Sequence, residues 1–218
     1  EALDGAPEVL DLPLDRPRPT VADHRGETVP LTLDADLHRS LSEVARGHGV
    51  TLFMVFQAAL AVALSRSGAG EDVPIGTPVA GRTDPALDDL VGFFVNTLVL
   101  RTDVSGDPSF AELLERVRET DLAAFEHADV PFERVVEAVA PARSMGHHPL
   151  FQVMLVLQNN EATDLSLPGL EVERESFEWK VSKFDLTLSL SERPEGVSGL
   201  LEFATDLFDR ETARALVE

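Results

Sequence analysis

The chain contains no cysteine. That excludes disulfides, thiolate zinc sites and cysteine nucleophiles, and it fits a reducing, cytoplasmic compartment. Cations are scarce. Against 39 Asp and Glu stand only 18 Lys and Arg, for a formal net charge of −21. No basic run occurs anywhere in the sequence. Phosphate binding needs clustered Lys and Arg, so neither nucleic acid nor an anionic membrane is expected as a partner. Long apolar runs are missing too. The longest, "VTLFMVFQAALAVAL" from Val50 to Leu64, is interrupted by Gln57 and falls short of the ~20 residues that span a bilayer. It predicts a buried helix. No signal peptide is expected, and no internal repeat or Gly-rich phosphate loop stands in the sequence. There is no initiator methionine, and the opening "EALDGAPEVLDLPLDRPRP" reads as a piece cut from a longer polypeptide.

What remains is 218 residues, 44% hydrophobic and 26% charged, enough for one globular domain with a sizeable core. Residues 1–27 read as a connector entering that domain. "TVPLTL" (28–33) predicts a strand. Asp34 or Asp36 can cap a helix that carries Leu37, Leu41 and Val44 on one face and ends at Gly47. Thr51 caps the apolar helix, which runs to about Ser67. "DVPIGTPV" (72–79) is a short strand. "VGFFVNTLVLR" (91–101) is apolar on both faces and predicts a central strand. Asp107 and Pro108 offer an N-cap and first turn for a helix with Phe110, Leu113, Leu114 and Val117 as its stripe. Pro131 opens "PFERVVEAV". "FQVMLVLQ" (151–158) predicts a second central strand, "LEVERESFEW" a more exposed one, and "KFDLTLSL" (183–190) a half-buried one with alternating Phe184, Leu186, Leu188 and Leu190. "GLLEFAT" is the last strand, and Asp209 leads into a final helix. This mixed order argues for an α/β sandwich rather than a Rossmann-type fold.

The paired histidines His147 and His148 invite comparison with the acyltransferase motif His-His-x-x-x-Asp-Gly, whose second His is the general base. The spacing fails: four residues on stand Phe151 and Gln152, and none of His24, His38, His48 or His127 has an Asp at that distance. A metal reading is also poor, because neighbouring side chains on extended backbone diverge.

Five phrases in fixed order supply more: "IGTPVAGR" (75–82), "VGFFVNTLVLR" (91–101), "HADVPFERVV" (127–136), "ARSMGHHPLFQVML" (142–155) and "SKFDLTLSL" (182–190). Together they resemble the C-terminal half of a nonribosomal peptide synthetase condensation domain. The resemblance implies a chloramphenicol-acetyltransferase-like sandwich lobe, a mixed β-sheet covered by helices, within a fold of two lobes around a tunnel. It places the His-His-x-x-x-Asp-Gly loop in the other, N-terminal lobe, and it makes His147 and His148 a loop entering a strand. It implies 28–218 as the lobe, with a floor loop at 83–91 and a crossover latch at 160–181. Its partners are the missing N-terminal lobe, donor and acceptor peptidyl carrier proteins, and a neighbouring adenylation domain. No cofactor is bound directly; the carrier proteins present phosphopantetheine arms.

No catalytic residue is expected in the chain itself. The candidates for the tunnel or lobe interface are Arg82, Asn96, Thr97, Ser182 and Asp185. By resemblance, Arg82 pairs with the Asp of the catalytic motif. On its own it reads as a solvated loop residue. Asn96, amid apolar residues, is either a core amide satisfied by neighbouring backbone or a tunnel-wall contact to the pantetheine arm. Asp185 is a structural acceptor near the tunnel or a solvated face, and Ser182 and Lys183 sit at a lobe-interface turn. Asp129 and Glu133 read as the cap and first turn of a helix, and Trp179 as packing. A rival reading is a condensation-like module that condenses nothing and recruits a carrier protein or tailoring enzyme.

Overall fold

The chain is described from a computed structural model, in which residues 2–81, 85–87, 89–158, 170 and 180–218 are described. The candidates Arg82 and Trp179, and most of the 160–181 segment and of "LEVERESFEW", lie outside them. The elements run β1 (Gly26–Asp34), α1 (Ala35–His48), α2 (Leu52–Leu64), β2 (Asp72–Ala80), β3 (Val95–Asp103), α3 (Phe110–Phe125), α4 (Phe132–Val139), β4 (Val153–Gln158), β5 (Leu186–Arg193), β6 (Gly196–Ala204) and α5 (Arg210–Ala215).

Among the described residues, six strands form one mixed sheet in the order β1-β6-β5-β4-β2-β3. β4 lies between β2 and β5 and is parallel to both. Parallel strands are covered on both faces, which is why its sequence is an unbroken apolar run. Its side chains alternate between two cores. Val153 and Leu155 join the large cluster with Val55, Leu114 and Phe203, whereas Met154 joins a smaller one with Leu150 and Phe151. Residues of α1, α2 and α3 pack in or against the large cluster, and Phe132, Val135 and Val136 of α4 against the small one.

Several expectations shift. The strand predicted over 91–101 begins at Val95 and, among the described residues, lies at an edge of the sheet. One face is buried, with Leu98, Leu100 and Thr102; on the other Val99 packs on the small cluster, while Val95 is 49% exposed. Apolarity reports covered faces; it does not report a neighbour along the hydrogen-bonding direction. α1 is capped by Asp34, which accepts from the Leu37 amide, but it ends at Gly49 rather than Gly47, since Gly49 takes the left-handed conformation. The cap of α3 is Ser109, not Asp107. Ser109 and Glu112 form a reciprocal capping box, and Asp107 turns the chain at φ 51°. Phe184 precedes β5 instead of belonging to it. Thr51 caps α2 as expected, but α-helix ends at Leu64 and a π turn follows to Ala69. Leu52–Ala69 has the length and hydropathy of a membrane span. Its Met54, Val55, Phe56, Ala58 and Ala61 are buried in the domain core, so it packs as a core helix.

The segment before β1 is more than a connector. Leu10 and Leu12 are buried in the large core. Two isolated bridges, Val21 with Met145 and Arg25 with Val181, lay residues 21–25 between two loops at the head of the sheet.

Candidate functional site

Those two loops, 144–149 and 182–185, meet the segment Val21–His24 and the turn Ala204–Leu207 around a cleft of about 330 Å³. The loops lead into β4 and β5, so the cleft sits where two parallel strands begin. Backbone bonds set its walls. The Ala22 amide donates to Met145 O (2.9 Å) and the Ser182 amide to His24 O (2.8 Å). Gly146 permits this approach, because a Cβ there would lie 2.3 Å from Pro19 O.

Asp185 anchors the floor. It is 5% exposed, and the Arg18 guanidinium grips it at two points, Nη1 to Oδ1 at 2.9 Å and Nη2 to Oδ2 at 2.5 Å. Burial pushes its carboxyl pKa up, and Arg18 opposes that rise. Arg18 also donates to Gly146 O at 3.3 Å. Gln152, fully buried, completes the frame: its Nε2 donates to Glu8 O and His148 O, and its Oε1 accepts from the Leu10 amide. Ser182 is buried and donates its hydroxyl to Phe184 O at 2.6 Å.

The two histidines differ. His147 lines the cleft, with Nδ1 3.3 Å from His148 O. The His148 ring lies among three phenylalanines, stacked on Phe132 at 5.5 Å, tilted to Phe151 at 4.4 Å and edge-on to Phe184 at 4.8 Å. Desolvation lowers its pKa to about 4, so the ring is neutral at physiological pH and too weakly basic to take a proton from an amine.

Asn96 stands elsewhere, on β3. Its amide donates to Ala128 O (2.9 Å) and Val130 O (2.7 Å), and its Oδ1 accepts from the Phe132 amide (3.1 Å). Pro131 provides no side-chain cap for α4, and Asp129 does not supply one. Asn96 caps the helix from another strand. The satisfied-amide reading therefore describes its contacts. Thr97 is half-buried and faces Pro78 across the β2–β3 ladder.

The structure thus brings Ser182 and Asp185 together with His147 and His148, and leaves Asn96 and Thr97 at the edge strand. Asn96 touches the cleft region only indirectly, through Phe132 and its stacking on His148. Arg18 and Gln152 were missed. Gln152 follows directly on the phrase His-His-Pro-Leu-Phe and could have been flagged as a polar residue in an apolar run. Arg18 lay in a stretch read as connector. Among the described residues no group of three His, Asp or Glu is placed to hold a metal. The cleft is lined by His24, His147 and His148, by Lys183 and Asp206, and by Asp185, whose carboxylate Arg18 already holds.

Comparison with known proteins gives the family. The family model "Condensation domain" matches residues 1–218. The chain is 53% identical over 224 residues to the dimodular nonribosomal peptide synthase of Bacillus subtilis, covering 100% of this chain and 9% of that protein. It is 53% identical over 211 residues to the malpinin synthetase of Mortierella alpina, covering 97% and 3% respectively. It therefore spans under a tenth of the length of these curated relatives. The solved complex of the X-domain and OxyB from teicoplanin biosynthesis superposes with a TM-score of 0.92 at 37% identity, over 99% of this chain and 48% of that one.

Proposed function

We propose, from the premise that the chain belongs to the Condensation domain family, that it is the C-terminal lobe of a peptide-bond-forming condensation domain in nonribosomal peptide synthesis. The observation that carries this reading is the family match along the whole chain, in a sequence without a His-His-x-x-x-Asp-Gly motif. In the two-lobed parent, the amine of an acceptor aminoacyl group attacks the thioester carbonyl of a donor aminoacyl or peptidyl group. A C–N bond forms, the C–S bond breaks and the donor arm leaves as a thiol. Both groups ride on phosphopantetheine arms of carrier proteins, and positioning two tethered reactants supplies much of the rate.

In this reading the absent N-terminal lobe brings the catalytic histidine, and this lobe brings tunnel wall. Residues 28–218 are that lobe, 83–91 its floor loop and 160–181 its latch. Arg82 pairs with the Asp of the catalytic motif, and an adenylation domain stands nearby in the parent. Val91 and Phe93, 105% and 89% exposed, support a surface that another body covers. Asn96, Thr97, Ser182 and Asp185 act by holding the wall.

The test uses donor and acceptor carrier proteins, each loaded, with product followed by mass spectrometry. The chain alone gives no dipeptide above background; the parent domain does. Product from the chain alone that disappears on His147→Ala would overturn the assignment. A second reading, recruitment without condensation, is favoured by the likeness to an X-domain solved in complex with OxyB. An inactive parent that still binds a carrier protein or tailoring enzyme would select it.

A further inference from the structure

One buried ionisable group lies outside the lining of the cleft. Asp121, on α3, is 0% exposed, as is Gln57 on α2, and Thr102 on β3 is 1% exposed. The Gln57 amide nitrogen donates to Asp121 Oδ1 at 3.0 Å and to Thr102 Oγ1 at 3.1 Å. That leaves two buried oxygens, Gln57 Oε1 and Asp121 Oδ2, without a partner. An unpaired buried acceptor costs roughly 1–3 kcal/mol, and more if charged. Both belong to the two side chains that already share a hydrogen bond, and both can only accept while Asp121 is ionised. One proton on Oδ2 changes that: it turns an acceptor into a donor and lets the two oxygens pair.

Among the described residues no cation compensates a carboxylate here. α2 has no ionisable side chain between Leu52 and Leu64. On β3, Arg101 is engaged by Asp72, and Asp103 faces Arg116. Glu115, Arg118 and Glu119 on α3 itself are exposed, as are Glu43, Arg46 and His48 on α1, which also packs on α3.

We propose that Asp121 is a structural carboxylic acid, protonated in the folded chain, that donates to Gln57 Oε1 and closes a two-bond acid–amide ring locking α3 to α2. Its ionisation opens the ring and loosens α3. Burial, opposed only by the Gln57 bond, raises the pKa to about 7, so the lock works within the physiological range. The folded state then holds a proton that the unfolded chain releases near its usual value of 3.8. Stability from this group is complete below about pH 4, declines as pH rises to about 7, and is lost above it.

An asparagine side chain reproduces the protonated acid in shape and in donor pattern, so Asp121→Asn is the informative variant. Its melting temperature should match wild type near pH 4 and exceed it by a margin that grows to about pH 7 and then stays constant. Asp121→Ala, which cannot close the ring, should melt below Asp121→Asn at every pH. A direct readout that needs no variant is the carboxyl ¹³C titration of Asp121 in the labelled wild-type chain, which should have its midpoint near neutrality. Hydrogen exchange in α3, corrected for intrinsic rate, should accelerate above that midpoint. A midpoint below pH 5, or an Asp121→Asn chain less stable than wild type at pH 8, would overturn the proposal.

Discussion

Replacing Arg18 by alanine isolates the clamp at the head of the sheet. The pair it breaks is mostly buried, with side-chain exposures of 15% for Arg18 and 7% for Asp185. Surface pairs contribute about 0–1 kcal/mol, whereas removing one partner of a buried pair costs roughly 3–5 kcal/mol, because the other charge stays behind unpaired. The residual exposure favours the lower end, about 3 kcal/mol. For a chain of this size, 1 kcal/mol moves the melting temperature by about 2–4 °C, so a drop of roughly 6–12 °C is expected. The pH dependence is the sharper test. In wild type, burial raises the Asp185 pKa and Arg18 restrains the rise. Without Arg18, the main opposition to burial is gone and the folded-state pKa climbs further. A group whose folded pKa is raised loses its contribution as pH increases from the unfolded value through the folded one. The loss in Arg18→Ala therefore grows from pH 5 to pH 8. Arg18→Lys should recover only part of it, since an ammonium cannot make the planar two-point contact. Urea unfolding at both pH values, or calorimetry, measures this. A loss under about 1 kcal/mol, or one that is the same at pH 5 and pH 8, would refute the reasoning.

Gly76→Ala places a Cβ 2.2 Å from the Phe151 ring, which is fully buried. Overpacking of this kind costs about 1–3 kcal/mol, and Phe151→Leu in the same chain should recover stability, giving non-additive losses in a double-mutant cycle. Asn96→Ala removes three hydrogen bonds and should cost roughly 2–3 kcal/mol. Hydrogen exchange should accelerate in residues 128–139 while the β2–β3 ladder stays protected; unchanged exchange there would mean that α4 is held by its apolar face alone.

The sequence made the middle of the sheet legible, because β4 is covered on both faces and must be apolar throughout. β5 was equally plain, since one buried face forces the alternation of Leu186, Leu188 and Leu190. The place of β3 was not legible. Nothing in a strand's own side chains records whether its backbone has one neighbour or two. The N-cap of α3 went to Ser109 over Asp107 because Glu112, three residues on, completes a reciprocal pair that Asp107 has no match for. At the cleft, Ser182 and Asp185 stood out as polar residues beside a core strand. Their partner Arg18 did not, because it comes from 167 residues away, and no local pattern encodes a contact across that distance. Asn96 was visible as an amide among apolar residues, but its use as a remote cap depends on how α3 and α4 turn beneath it.

The strap formed by residues 8–25 makes its bonds almost entirely with the far end of the chain. Leu10 reaches Gln152 across 142 positions, Arg18 reaches Asp185 across 167, and Arg16 reaches Asp209 across 193. A ribosome adds about 5–20 residues per second. The strap thus waits roughly 10–40 s after its own synthesis before its last partner exists. During that interval the core that takes Leu10 and Leu12 lacks its β5 and β6 residues, and β1 has no β6 to pair with. Closure of such long loops comes late and slows folding. The clamp around the cleft is therefore a terminal event of folding, set only when the C-terminal strands have emerged, and a nascent chain stalled before β5 would present the strap to whatever chaperone or neighbouring body is at hand.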